Sequence, residues 1–114
     1  MGPALSVIVP TYNRTDLLAD CLRSLRGQSF RDFRVIVIDD ASPQDVSACA
    51  RETFPQAQVV RRAENGGFAR AANEGIHGAD TPHLMLLNDD MTLAPDCIER
   101  LMAGLSETGS AMAC

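Results

Sequence analysis

Two short runs, Leu5-Ser6-Val7-Ile8-Val9 and Phe33-Arg34-Val35-Ile36-Val37-Ile38, are β-branched and almost continuously apolar, which leaves this chain few ways to fold. A strand with one wet face alternates apolar and polar residues. A near-continuous apolar run belongs instead to a strand covered on both faces, the habit of parallel sheets flanked by helices. Between the two runs, Leu17, Leu18, Cys21, Leu22 and Leu25 recur at helical spacing, and Gly27 follows as a helix C-cap. The result is a strand-helix-strand unit.

The rhythm continues along the chain. Ser42-Pro43-Gln44-Asp45 reads as a helix start with Ser42 as N-cap and Pro43 at the first helical position, and Asp45 lies near the positive end of the dipole. Val46, Cys49 and Ala50 form the inner side of that helix, which stops before Pro55. Gln58-Val59-Val60-Arg61 is a short third strand. A helix from Gly67 to Gly78 follows, with Phe68, Ala71, Ala72 and Ile76 as its apolar side. Next comes a buried strand from His83 to Leu87, then a helix starting near Pro95 with Ile98, Leu101, Met102 and Leu105 inward, and finally a clipped strand at Ser110 to Cys114. Regular alternation of this kind predicts an α/β fold, a three-layer α/β/α arrangement on a mainly parallel sheet with right-handed crossovers. At 114 residues the chain is one domain at most, and because it ends inside a βα rhythm the expectation is a partial domain over 1–114.

Composition excludes several classes of function. A net charge of -5, with Arg61-Arg62 as the only basic doublet, is the wrong electrostatic footprint for nucleic acid. No apolar stretch approaches the roughly 18 residues that span a bilayer, and no secretory leader is recognisable. The expected location is cytoplasmic, at the cytoplasmic face of the membrane in a full-length protein. Cys21, Cys49, Cys97 and Cys114 form no C-x-x-C pair, and three of them lie in helical patterns, which favours buried free thiols over disulfides or zinc ligands. No G-x-G-x-x-G, phosphate-loop lysine motif or G-x-S-x-G occurs, and neither His77 nor His83 has a partnering pattern.

What remains is a set of polar clusters, one after each strand. In an open parallel sheet, ligands bind outside the carboxyl ends of the strands. Thr11-Tyr12-Asn13, Asp39-Asp40, Glu64-Asn65-Gly66-Gly67 and Asn88-Asp89-Asp90 all fall there. Adjacent carboxylates such as Asp89 and Asp90 repel, and a divalent cation reverses that penalty, with hard oxygen ligands suiting Mg or Mn rather than Zn. The competing reading of Asn88-Asp89-Asp90 is simple turn chemistry. With Ser42 as cap, neither Asp39 nor Asp40 is required for capping, and a carboxylate there is free to accept the ring N–H of uracil or thymine. Tyr12 either stacks on a base or packs at the sheet edge. Gly66-Gly67 either makes a left-handed turn with close backbone approach or ends a loop. Arg70 and Asn73, one helical turn apart, either reach a diphosphate or the carboxylates, or stay solvated.

Taken together, Ser6-Val7-Ile8-Val9-Pro10-Thr11-Tyr12-Asn13, Val37-Ile38-Asp39-Asp40-Ala41-Ser42, Asn65-Gly66-Gly67-Phe68 with Asn73-Glu74-Gly75, and Leu87-Asn88-Asp89-Asp90 resemble the family 2 glycosyltransferases of the GT-A fold. The resemblance covers nearly the whole chain, in the right order and at the right spacing. It implies a Rossmann-like nucleotide-binding half in which Pro10, Thr11 and Tyr12 line the base pocket and Asp40 bonds the base. Asp89 would lie near the ribose, and Asp90 would be the metal-binding member of a D-x-D motif. The first position of that motif is Asn88 here, and this Asn, like the Asn65-Gly66-Gly67-Phe68 run, resembles the rhamnosyltransferase-type branch.

The resemblance further implies transfer of a sugar, with inversion and metal assistance, from a UDP- or dTDP-sugar to a hydroxyl of a glycan, lipid-linked or protein acceptor. Synthesis of cell-surface polysaccharides is the setting it suggests. An inverting displacement needs a carboxylate base for the acceptor hydroxyl, and the family's base would lie beyond Cys114. The chain alone is therefore expected to bind donor without transferring it. Two alternatives stand beside this reading: a non-catalytic nucleotide-binding module, and a nucleotidyltransferase on a similar sheet.

Overall fold

The computed structural model of the chain describes residues 2–108. In chain order the elements are β1 (Leu5–Thr11), α1 (Thr15–Arg26), β2 (Phe33–Asp39), α2 (Val46–Thr53), β3 (Gln58–Arg61), α3 (Phe68–Gly78), β4 (His83–Leu86) and α4 (Cys97–Thr108). The four strands form one sheet in the order β3-β2-β1-β4, and every neighbouring pair is parallel. This is the expected α/β class. The expected final strand at Ser110 to Cys114 lies outside the described residues.

The pleat divides the core. Leu5, Val7 and Val9 of β1 and Val35 and Val37 of β2 join Leu18, Cys21, Leu22 and Leu25 of α1, Val46 and Ala50 of α2, and Ile98 of α4 in one cluster. The alternate residues Ile8, Ile36 and Ile38 form a second cluster with Ala71 of α3. Successive strand side chains point to opposite faces, so a run apolar at every position needs helices on both sides. Three helices cover one face and α3 covers the other.

Gln28 joins the ends of α1 and α4. It is only 2% exposed, donates Nε2 to the Ala94 and Ser24 carbonyls at 2.7 and 3.1 Å, and accepts the Ile98 N–H on Oε1 at 3.0 Å. A buried amide with its groups satisfied costs little and fixes geometry. Here it sets where the chain lands after leaving the carboxyl end of β4.

Three local expectations are corrected. The second helix starts at Val46 with Asp45 as its cap, the carboxylate accepting the Ala48 N–H at 3.0 Å. Ser42 does not cap it because its hydroxyl accepts the Asn13 N–H at 2.8 Å and its own N–H goes to Asp39. On α3, Phe68 and Ile76 are exposed rather than inward, and the buried side is Ala71, Ala72 and Gly75, because that helix packs too close to the sheet for large side chains. Finally, among the described residues β4 is an edge strand with Leu84 exposed, so the run from Leu84 to Leu87 is buried only at Met85 and Leu87.

Candidate functional site

Parallel strands bring their carboxyl ends to one edge, and there Pro10, Thr11, Tyr12, Arg14, Asp40, Asn65, Gly67, Phe68, Ala71 and Asp89 surround a cleft of about 380 Å³. These residues come from the ends of β1, β2 and β4 and from the N-terminus of α3. Tyr12 and Phe68 stand exposed at the cleft, each with close to half of its surface in solvent. A half-exposed aromatic ring forgoes roughly half of the ~1.5–3 kcal/mol of full burial, so two on one cleft are ready to cover a flat ligand.

Asp40 occupies one wall. Its carboxylate accepts the Gly66 N–H at 3.0 Å and the Gly67 N–H at 2.8 Å, and its own carbonyl accepts the Asn65 side-chain amide at 3.2 Å. Arg62 adds an ion pair, Nε to Oδ1 at 2.9 Å, without the alignment of a hydrogen bond. Those two backbone donors sit at the start of α3, where the helix dipole favours negative charge. Gly67 makes the arrangement possible with φ of 91° and ψ of 169°, a conformation essentially reserved for glycine. Gly66-Gly67 thus makes an extended, glycine-only bend rather than a left-handed turn, and it is fastened to Asp40.

Asp89 occupies the opposite wall and is 6% exposed. Thr11 donates its hydroxyl to Oδ2 at 2.8 Å, and the Arg14 guanidinium lies 3.5 Å from Oδ1. Arg14 also lies 3.9 Å from Oδ2 of the half-exposed Asp90. The Asn88 carbonyl accepts the Met91 N–H at 3.2 Å, so the segment is a turn as well as a carboxylate pair. Beneath it, the Cys21 thiol faces the Asn88 carbonyl at 3.8 Å. Burial first, and then the charges of Asp89 and Asp90, push that thiol from its ordinary 9.0 up to about 12. Cys21 is a protonated structural group.

The other residues singled out from the sequence lie outside the cleft lining. Asp39 is buried and turned toward the loop before α2, accepting the Ser42 N–H at 2.9 Å and pairing with Arg61 at 2.8 Å. It thus has a structural role that the capping argument missed. Asn13, in the left-handed region at φ 55°, ties β1 to the same loop through Ser42. Arg70 and Asn73 are exposed on α3, and Asn88 is exposed beside the turn. Conversely, sequence reasoning passed over Arg14, Arg61 and Arg62. Arg14 directly follows Thr11-Tyr12-Asn13, and that adjacency was the one signal available.

Among the described residues no three His, Cys, Asp or Glu side chains group as a metal cage. The donor set of Asp89 and Asp90 nevertheless suits Mg or Mn, which are held by one or two carboxylates with water and substrate phosphates completing the shell. No helix among the described residues is long and apolar enough to cross a membrane.

A parallel sheet with its polar groups and cleft at the carboxyl ends of β1, β2 and β4 has the ligand-binding arrangement of an open α/β fold. A family model described as Glycosyl transferase family 2 matches residues 6–114, and the chain belongs to that family. An uncharacterized glycosyltransferase of Haemophilus influenzae is 35% identical over 86% of this chain and 33% of its own length. The GalNAc(5)-diNAcBac-PP-undecaprenol beta-1,3-glucosyltransferase of Campylobacter jejuni is 30% identical over 92% of this chain and 35% of its own. Among solved structures, S. aureus TarS 1-349 in complex with UDP-GlcNAc superposes with a TM-score of 0.86 at 26% identity, covering 96% of this chain and 32% of that one. The Pyrobaculum calidifontis mannosyltransferase PcManGT, in complex with GDP-Man and Mn2+, gives 0.83 at 28% identity, covering 95% and 34%. The chain thus spans about a third of the length of these relatives.

Proposed function

We propose that this chain is the donor-binding portion of a glycosyltransferase that moves a sugar from a UDP- or dTDP-sugar to an acceptor hydroxyl with inversion. The observation that carries the reading is the cleft itself, lined by the held carboxylates of Asp40 and Asp89 and by two exposed aromatic rings, Tyr12 and Phe68. Pro10, Thr11 and Tyr12 receive the base, with Tyr12 stacking on it. Asp40 retains an open lone pair on Oδ2 for a base N–H while its backbone contacts keep it still. Asp89 faces the ribose. The C. jejuni glucosyltransferase and the UDP-GlcNAc and GDP-Man complexes support a nucleotide-sugar donor, and the Mn2+ of the last supports metal assistance.

Asp90, with Asp89 beside it, is the residue to hold Mg or Mn. When bound, such an ion neutralises the charge that builds on a leaving nucleoside diphosphate. The side chains do the rest of the work on this side of the reaction. Thr11 holds Asp89 in place, Asp40 sets the α3 loop, and the aromatic pair keeps water off the base.

The proton of the acceptor hydroxyl requires a carboxylate base, which we place in sequence following Cys114, together with the acceptor site. The setting is cytoplasmic, at the membrane face where lipid-linked or polysaccharide acceptors are available. The Asn65-Gly66-Gly67-Phe68 run and Asn88 favour a rhamnosyl-type donor, which makes dTDP the first nucleotide to try.

Calorimetry of the chain with UDP, dTDP and GDP, each with and without Mn, tests the reading. Binding of a uracil or thymine nucleotide that strengthens with Mn and is lost in Asp89→Asn supports it. Equal affinity for all three with no response to Mn would overturn it.

A further inference from the structure

We propose that Arg14 is the resident counter-ion of the Asp89–Asp90 pair, yielding those carboxylates to a divalent cation and turning to the donor's diphosphate when donor and cation bind together. The inference rests on the donor-binding reading above and assigns a part to a residue that reading does not use.

The geometry is that of a placeholder. One Arg14 nitrogen, Nη1, lies 3.5 Å from Asp89 Oδ1 and 3.9 Å from Asp90 Oδ2. Both exceed the roughly 2.7–3.2 Å of a well-made N–H to oxygen bond, so the pairing is electrostatic and easily exchanged. Asp89 cannot turn away, because Thr11 fixes its other oxygen at 2.8 Å and its side chain is 8% exposed. Arg14 can move, since its side chain is 52% exposed and lines the cleft. Among the described residues no other basic side chain is paired with either carboxylate.

Arg14 and a divalent ion are like charges drawing on the same two carboxylates, so each weakens the other's hold. A divalent ion arriving without donor repels Arg14 and leaves it facing water. One arriving with donor releases Arg14 toward two phosphates, and a planar guanidinium suits their oxygens. The free protein is thereby biased against taking up the ion alone, and donor and ion bind together.

The test is a titration of Mn2+ by the loss of its free-ion EPR signal, alone and with UDP, using wild type, Arg14→Gln and Arg14→Lys. For two loose pairs whose shared Arg14 is half exposed, the expected gain in affinity for Mn alone in Arg14→Gln is about threefold to fivefold. The same variant should bind UDP with Mn less tightly than wild type, and Arg14→Lys should fall between the two on both counts. A residue that merely supports the fold would weaken both affinities when replaced, which overturns the proposal. So does unchanged affinity for Mn alone when UDP with Mn binds normally. Failure of wild type to bind UDP at all, with the Mn gain intact in Arg14→Gln, removes the donor reading and keeps the counter-ion assignment. Thermal melts of the exposed-site variants confirm that each is folded.

Discussion

At the residue scale, the smallest side chains carry the tightest constraints. A Cβ on Gly75 would sit 2.4 Å from Ile8 Cγ2 and 3.2 Å from Ile38 Cγ1, so α3 lies on the sheet at a distance only glycine permits. Gly75→Ala is expected to cost about 1–3 kcal/mol, the usual penalty for overpacking a filled core, read as a lower denaturation midpoint with an unchanged slope. Thr11 tests the other end of the same strand. Its hydroxyl donates to buried Asp89 at 2.8 Å, and Thr11→Val keeps the shape while removing the donor. Loss of a hydrogen bond to a charged group predicts destabilisation of about 1.5–3 kcal/mol, together with weaker nucleotide binding by calorimetry. Neither constraint was equally legible beforehand. Thr11 stood in a polar cluster at a strand end, whereas Gly75 looked like any glycine in a helical pattern until Ile8 and Ile38 were seen opposite it.

At the scale of elements, the order of strands and helices and the edge of the sheet where polar residues gather were readable from periodicity alone. What periodicity misses is contact between elements. The start of α2 moved because Ser42 is engaged by Asn13 from another loop, and Arg61 and Arg62 found Asp39 and Asp40 across a crossover connection. Such pairings are set by the way β1, β2 and β3 lie side by side, and no local signal encodes them. The contact of α1 with the turn after β4 has a measurable counterpart in Cys21. The folded chain holds the thiol proton more tightly than the unfolded one, so the group's contribution to stability is complete below pH 9 and is lost as pH climbs toward 12. Cys21→Ala should therefore lose stability less steeply over that alkaline range than wild type, whatever its offset at neutral pH. In the same protein, native-state alkylation near pH 8.5 should spare Cys21, which mass spectrometry of tryptic peptides would reveal as labelled only after unfolding.

At the scale of the whole molecule, the cleft is the place where distant parts of the sequence meet. Thr11 and Asp89 are 78 positions apart, and Asp40 and Gly67 are 27 apart, yet all four line one cavity. A ligand seated there touches the ends of three strands and the start of α3, so its binding free energy is felt by the global unfolding equilibrium and not by one loop. With UDP or dTDP at about a hundredfold over its dissociation constant in the presence of Mn, linkage predicts about 2.7 kcal/mol of added stability. For a domain of this size that corresponds to a rise in Tm of roughly 10 °C or more. The comparison across variants carries the information. Asp90→Asn should keep the nucleotide's own contribution and lose the increment that Mn adds, because that side chain is half exposed and little else in the fold depends on it. Asp40→Asn should differ in kind. Its carboxylate anchors Gly66 and Gly67 and faces Arg62, so the melting temperature should fall before any ligand is added. A melting temperature unmoved by nucleotide in the wild-type chain, under conditions where calorimetry detects binding, would mean that the unfolded chain binds the nucleotide as well, and that the assembled cleft is not what holds it.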